Sequence, residues 1–293
     1  MSTVDLSALP APQVLEPLDF EALYEEELET FRGYMGDNWS AELESDPVVK
    51  LLELSAYRRM QNRARVNDAA KAQLLAYAEE GDLDHLAGNV NLKRLVIQQQ
   101  DLLAVPPVVE VKEFDDALRE RVQLAYEGLT TAGPRNSYIL HARSASALVG
   151  DATAESPAPA EVVVTVQALT GNGHAEQALL DQVEAYLSDD DIRPLADRLI
   201  VRSTEVLEYR IDAVLYMQGV GSENEAILVE ANRRLKAWIN PRRRLGVEVA
   251  RSGIDAQVHL NGVRRVELRQ WSDIRPTKFQ SGYCTGFTVV QGG

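Results

Sequence analysis

The sequence has few of the groups on which chemistry is usually built. It holds one cysteine, Cys284, four histidines and only 6% aromatic residues. A lone thiol excludes an internal disulfide framework and a thiolate metal cluster. No two of His85, His141, His174 and His259 lie at helical ligand spacing, and none has the cysteine nearby, so no metal centre is expected. Positive charge is scarce as well: Lys and Arg number 30 against 45 Asp and Glu, a net charge of -15. Nucleic acid needs a basic footprint to neutralise its phosphates and is excluded as a partner. Anionic membranes are excluded for the same reason. No apolar run approaches the roughly 20 residues that cross a bilayer. The start, Met1-Ser2-Thr3-Val4-Asp5, lacks the basic and apolar regions of a secretory signal. These absences imply a chain that matures in the cytoplasm and carries no cofactor.

What is present is a chain of 293 residues, 45% apolar, enough for one large or two modest domains. Its organising stretch reads as one helix over residues 47–80. Asp46 is a good N-cap, Pro47 suits the first helical position, and Gly81 is the expected stop. Such a helix would be about 50 Å long. Its start is apolar nearly all round, through Val48, Val49, Leu51, Leu52 and Leu54. So is its end, through Leu74, Leu75, Ala76, Tyr77 and Ala78. Between them lies a polar waist of Arg58, Arg59, Gln61, Asn62, Arg63, Arg65, Asn67 and Asp68, with Met60, Ala64 and Val66 as its apolar atoms. Two readings stand: a solvated face crossing a domain surface, or a rod bridging two packing environments. Residues 19–33 predict a second, acidic helix, with Glu21, Glu25, Glu26, Glu27 and Glu29 opposed only by Arg32. It is either a solvated face or a docking surface for a basic partner or for the arginine waist.

Ahead of these helices, residues 1–20 form a proline-spaced leader, expected to be extended on a surface. Further on, helices are predicted at 114–126 and 138–147, and Ser156-Pro157-Ala158-Pro159 reads as a linker. A valine-rich strand at 161–169 is followed by a helix at 175–187, strands at 198–202 and 206–217, and a helix at 223–239 stopped by Pro241. A short helix at 247–258 and a strand at 263–268 complete the series, with 287–290 as a possible edge strand. This order is that of a split β-α-β, ferredoxin-like domain with a mixed or antiparallel sheet and helices on one face. The fold class is therefore α+β. Its expected parts are an N-terminal helical region at 1–98, a central helical region at 99–158, an α+β oligomerisation domain at 159–273 and a tail at 274–293.

Gly171-Asn172-Gly173 joins a strand to a helix as a phosphate loop would. It lacks the third glycine of a dinucleotide loop and the lysine of a P-loop, which favours a plain tight turn. Asp189-Asp190-Asp191 has no ligand spacing after it and reads as a solvated helix end. Arg233, Arg234, Lys236, Arg242, Arg243 and Arg244 form a basic cluster in an acidic chain. It either complements a helix dipole or targets an acidic protein surface.

Several stretches carry a family resemblance. These are Gly81-Asp82-Leu83-Asp84-His85-Leu86-Ala87, Asp116-Ala117-Leu118-Arg119-Glu120-Arg121, and Thr131-Ala132-Gly133-Pro134 with Tyr138, His141 and Ala142. Ser156-Pro157-x-Pro159, Gly171-x-Gly173, Arg193-Pro194-Leu195-x-Asp197, Leu245-Gly246 and Gly262-Val263 follow in order. Their succession over residues 46–270 resembles the J-type baseplate wedge proteins of contractile phage tails and R-type pyocins. The chain departs from the family at Ala160, Asn172 and Ala196, where glycine, aspartate and threonine are usual. The resemblance implies a structural subunit and not an enzyme. Two copies would join a smaller wedge subunit, contact neighbouring wedges, sheath-initiating and hub proteins, and build the ring that controls sheath contraction. Such a particle assembles in the bacterial cytoplasm. The expected partner-interface residues are Leu51, Leu52, Arg58, Arg59, Met60, Arg63, Leu74, Leu75, Leu83, Arg233, Arg242 and Arg243. Two other functions remain open: an oligomeric adaptor outside a tail, and an enzyme using the loop after Leu169.

Overall fold

The computed structural model describes residues 5–292, except positions 11, 37–38, 40–42, 44, 130–132, 220, 222 and 241–242. The chain is α+β, with N-terminal helices followed by mixed sheets. It divides into two units, Met1–Arg94 with Phe114–Gln123, and Leu95–Glu113 with Leu124–Gly293.

The first unit begins with a leader whose only regular piece among the described residues is a short 3-10 turn at Leu6–Ala8. Helix α1 (Phe20–Met35) is capped by Asp19, which accepts from the Ala22 N–H at 3.2 Å. Helix α2 (Pro47–Ala72) starts as its sequence requires: Asp46 accepts from the Val48 N–H at 2.8 Å and Pro47 opens the first turn. The two helices pack side by side, burying Leu23 of α1 with Val49 and Ala56 of α2. The acidic face of α1 meets the arginine waist: Arg59 bonds Glu26 at 3.0 Å and Glu27 at 3.3 Å. Buried Asn67 exchanges two hydrogen bonds with the Glu16 backbone, at 3.0 and 2.8 Å, and Arg63 reaches the Glu16 carboxylate at 2.6 Å. The leader is thereby strapped to α2.

The C-terminal end of α2 falls short of the residue 80 that the sequence pattern predicts. The helix stops at Ala72, so it has 26 residues and is about 39 Å long. Gly81 does not stop it, but lies in the first turn of α3 (Glu80–Gly88). Tertiary packing overrides helix propensity here. The break lets Leu75 and Ala78 turn into a cluster with Leu83, Ala87, Leu118 and Val122, the last two from α4 (Asp115–Leu124). The carbonyls freed by the break are taken by Arg119, which donates to Leu75 O and Ala78 O, both at 2.8 Å. Arg94 ties Asp84 to Asp115, both at 2.7 Å. Burial pushes the Asp115 carboxyl up, but the Glu80 N–H and the Arg94 guanidinium outweigh it and hold the group below its ordinary value.

In the second unit, β1 (Val96–Gln98) and β2 (Val111–Lys112) form an antiparallel hairpin. Its tip carries exposed Leu103 and Val105. Helix α5 (Arg135–Ala145) then leads to two three-stranded sheets in place of the single split β-α-β sheet expected. The first has order β3-β4-β5, made of β3 (Val149–Glu155), β4 (Glu161–Ala168) and β5 (Arg198–Ser203). β3 and β4 are antiparallel. β4 and β5 are parallel, joined by helix α6 (Gln177–Leu187), as a parallel crossover requires. Helices α5 and α6 close one core on this sheet around Val164, Val166 and Val183.

The second sheet has order β7-β6-β8. Strand β6 (Glu205–Met217) is followed by helices α7 (Glu223–Trp238) and α8 (Arg251–Val258), then β7 (Val263–Leu268) and β8 (Gln280–Gln291). β6 and β7 are antiparallel and β6 and β8 parallel, and both helices close a core that joins Ile211 and Leu215 of β6 to Leu235 of α7 and Ile254 and Val258 of α8. The edge segment expected at 287–290 is thus the end of a 12-residue strand. Thr204 alone separates β5 from β6. Its N–H donates to Val166 O at 2.9 Å in one sheet, while its hydroxyl donates to Phe279 O at 2.9 Å beside the other. With one residue between them, β5 and β6 cannot lie side by side, so the strands divide between two sheets.

The stability of the first unit should follow burial. Leu83 is 0% exposed and Leu51 is 64% exposed. Leu83→Ala should cost about 2–5 kcal/mol through the cavity it leaves, and Leu51→Ala under about 0.5 kcal/mol. Urea unfolding of the isolated chain measures both, and equal losses would contradict the buried cluster.

Candidate partner interface

The residues expected at an interface fall into three groups. Leu51 and Arg58 are exposed on α2, Leu52 and Met60 are half-buried, and Leu74 is exposed just beyond the helix end. Leu51, Leu54, Arg58 and Arg65 are spaced so that they share one helix face. Leu54 is 44% exposed, and Tyr57 and Val66 flank the stripe. Beyond its far end a groove of about 570 Å³ is lined by Arg65, Asp68, Ala72, Asp82, His85 and Leu86.

A second group is spent inside the chain. Leu83 is fully buried and Leu75 packs beside it. Arg59 and Arg63 pair with Glu26, Glu27 and Glu16. In this conformation these residues hold the unit's own elements together. The acidic face of α1 therefore has its counter-ion in the arginine waist of the same chain.

The third group is the basic cluster. Arg233 and Arg234 both bond Glu230, at 2.7 and 2.8 Å, and these hydrogen bonds hold its carboxyl down at about 2. Arg242 lies outside the described residues, as do Pro241 and the Thr131-Ala132 pair. Arg243 has a structural role. Its guanidinium donates to Gly171 O at 2.9 Å and Leu169 O at 3.0 Å, with Ala168 O and Thr170 O at 3.4 Å. It also lies over the Tyr283 ring at 5.5 Å, and burial pushes its pKa below the ordinary arginine value. Nearby, the Leu245 N–H donates to half-buried Asp151 at 3.0 Å, and the Gly246 N–H donates to Gln280 O at 2.9 Å. The segment 243–246 is therefore the joint between the two sheets. Nothing in a lone aspartate signals a partner 94 positions along the chain, so the sequence does not mark Asp151.

This geometry also decides the loop after Leu169. A phosphate cradle presents free N–H groups, whereas this loop turns carbonyls toward an arginine. The His174 N–H is already taken by the Asn172 side chain at 3.0 Å. Gly171 and Gly173 have φ of 62° and 100°, which makes the segment a tight turn. His174 Nδ1 lies 3.0 Å from Ser203 Oγ, but that oxygen also accepts the Ala175 N–H at 2.8 Å. Asp189 uses its side chain on the Asp191 N–H at 2.9 Å to end α6. Among the described residues no three His, Cys, Asp or Glu side chains converge as metal ligands.

Two of the motif stretches do meet. The Tyr138 hydroxyl donates to Asp197 at 2.7 Å, and Gly133, with φ of 50°, lies against the same carboxylate. Burial first, and then the bond to Asp197, raise the Tyr138 pKa above its ordinary value. Between pH 10.0 and that raised value the native state keeps a proton that the unfolded state releases. The stability it contributes is therefore full below pH 10.0 and lost as pH rises through the window. Tyr138→Phe should cost about 1.5–3 kcal/mol at neutral pH and flatten part of the alkaline decline. The remainder belongs to Tyr209, whose pKa burial also raises. Denaturation midpoints between about pH 8 and about pH 11 test this, and an unchanged slope would remove Tyr138 as the cause.

Comparison with known proteins agrees in extent with these stretches. The model of the Baseplate J-like N-terminal domain matches residues 44–101, and that of the Baseplate J-like central domain matches residues 130–203. The chain is 42% identical over 300 residues to baseplate protein J of Escherichia phage P2, an alignment that covers 100% of this chain and 99% of that protein. A chain in the six-fold symmetrised cryo-EM structure of the anti-feeding prophage baseplate aligns with a TM-score of 0.39 and 12% identity. That alignment covers 66% of this chain and 49% of the other, about half its length.

Proposed function

Because the chain belongs to the Baseplate J-like family, we propose that it is a wedge subunit, two copies of which join one smaller subunit. It is a structural protein of the baseplate of a phage tail. On this proposal, six such wedges surround the hub, contact the sheath-initiating and hub proteins, and assemble in the bacterial cytoplasm. The ring they make restrains the sheath until the particle engages its target. Such a switch needs interfaces with two stable arrangements rather than a catalytic group.

The observation that carries this reading is the free stripe of α2. Leu51 and Leu54 are exposed on one helix face, with Tyr57 and Val66 at its margins. Apolar residues repeated along a helix that its own unit leaves uncovered suit a shared bundle. Arg59 and Arg63, on the opposite side of the helix, are already neutralised by α1 and the leader. A partner helix would therefore meet aliphatic side chains and Arg58 without having to supply counter-ions for the whole waist.

Co-expression with the smaller wedge subunit should give a complex of two copies to one by native mass spectrometry. Leu51→Asp with Leu54→Asp should abolish it while leaving the far-UV circular dichroism of the lone chain unchanged. A wild-type chain that stays a lone monomer and never enters tail particles would sink the reading.

A further inference from the structure

The two sheets have free edges at β3, β5, β7 and β8. An open strand edge is a template for pairing with another chain, and folded proteins usually guard it with charge, proline or a bulge. Three of these edges follow that rule. β3 carries Asp151 and Glu155, β5 carries Arg198 and Arg202, and β7 carries Arg264, Arg265 and Glu267. The first half of β8 is covered instead. The Gly246 N–H donates to Gln280 O, and the Asn240 side chain both donates to Cys284 O at 3.0 Å and accepts from the Cys284 N–H at 2.9 Å. Asn240 thus acts there as one residue of a neighbouring strand.

The second half of β8 has neither protection. Gly286-Phe287-Thr288-Val289-Val290-Gln291 contains no charge and no proline. The register shifts between Tyr209 and Arg210, just before this segment, and the Gly292 N–H points inward to Leu215 O at 2.8 Å. Alternation along a strand then turns the backbone N–H and C=O of Phe287, Val289 and Gln291 outward. These three make no hydrogen bond on that side to any described residue. Phe287 and Val289 meanwhile send their side chains into the core of the sheet, so the segment is held rigid and extended.

We infer that this half of β8 pairs antiparallel with the same segment of a second copy, across a two-fold axis at Val289. The inference rests on the two-copy wedge reading and gives it a surface. In that register Val289 faces its own counterpart, and Phe287 faces the partner subunit's Gln291. Each outward-facing pair exchanges two bonds, so the three pairs make about six in all. Thr288 and Val290 become cross-strand neighbours on the solvent face, with Cα atoms about 4.5 Å apart. Three strands from each copy then form one continuous sheet. Charge selects this occupant. Two copies of a chain with net charge -15 repel each other, so their contact must run where charge is absent. The nearest charges on the solvent face are already matched: Arg210 bonds Asp212 at 3.2 Å and Thr288 at 2.7 Å.

The test uses the full chain co-expressed with the smaller wedge subunit, with copy number read by native mass spectrometry and self-affinity by analytical ultracentrifugation. T288E/V290E sets glutamates opposite each other across the axis and should weaken self-association at least about a hundredfold. T288E/V290K sets glutamate opposite lysine and should restore it. T288C/V290C should give a disulfide-linked dimer on oxidation, independently of any loss of fold in the charged variants. Two copies held as tightly in T288E/V290E as in wild type would overturn the edge pairing while leaving the wedge reading intact. Loss of the smaller subunit from T288E/V290E with the two copies still joined would assign the edge to that subunit and refute self-pairing. A wild-type chain that forms no two-copy complex would remove the wedge reading itself.

Discussion

At several places where this chain stops repeating, a backbone carbonyl loses its regular partner and an arginine takes it. Arg119 holds Leu75 O and Ala78 O where α2 breaks. Arg94 donates to Glu80 O at 3.2 Å and buried Arg121 to Lys93 O at 3.2 Å around α3. Arg243 collects the carbonyls from Ala168 to Gly171 at the sheet joint. A buried carbonyl left alone costs about 1–3 kcal/mol. The guanidinium suits the task because it offers several donors in a rigid fork and no acceptor that would need a partner of its own. This use commits Arg94, Arg119, Arg121 and Arg243 to the chain's own irregular backbone before any partner arrives.

The same constraint marks how far the fold can be read from the sequence. The start of α2 is legible because Asp46 and Pro47 act within one turn. Its end is not. Ala69-Ala70-Lys71-Ala72 and the residues after it are good helix formers, and the break is held by Arg119, 44 positions beyond Leu75. Strand β4 is legible because a run of valines buried on both faces has no other place to go. Strand β3 is hidden: Gly150, Asp151 and the small residues Ala152, Thr153 and Ala154 carry little strand preference, and only pairing with β4 makes them extended. The α+β class and the mixed sheets follow from the element order. The division into two sheets turns on Thr204 being the single residue between β5 and β6, a spacing that only exact strand ends reveal.

For the candidate site, the residue types stood out but their tasks did not. The basic cluster was visible against an acidic background, yet the sequence cannot say where unpaired carbonyls lie, so Arg243 looked like a surface residue. Leu83 sat in a compact motif whose order was recognisable, and that order reflects packing inside the chain. Tyr138 and Asp197 are 59 positions apart and touch at 2.7 Å. Motifs that look like separate family marks are in these cases the two halves of one contact.

What the internal pairs leave over decides where other chains can bind. Bringing a charge into an interface means stripping its water, which costs several kcal/mol unless a matched partner is waiting. At physiological salt the repulsion between two acidic surfaces is screened beyond about 8 Å, so it is the contact itself that must be free of unmatched charge. In the helical unit, Arg59 and Arg63 have drawn Glu26, Glu27 and Glu16 onto α2 and left an aliphatic stripe on its far side. In the sheet unit, Arg210 is matched by Asp212, leaving the uncharged end of β8 as the open edge. Each exposed pair adds little to the stability of the monomer. On the proposed wedge reading its effect is selective: charge consumed within the chain leaves these surfaces as ones that can be dried without leaving an ion behind.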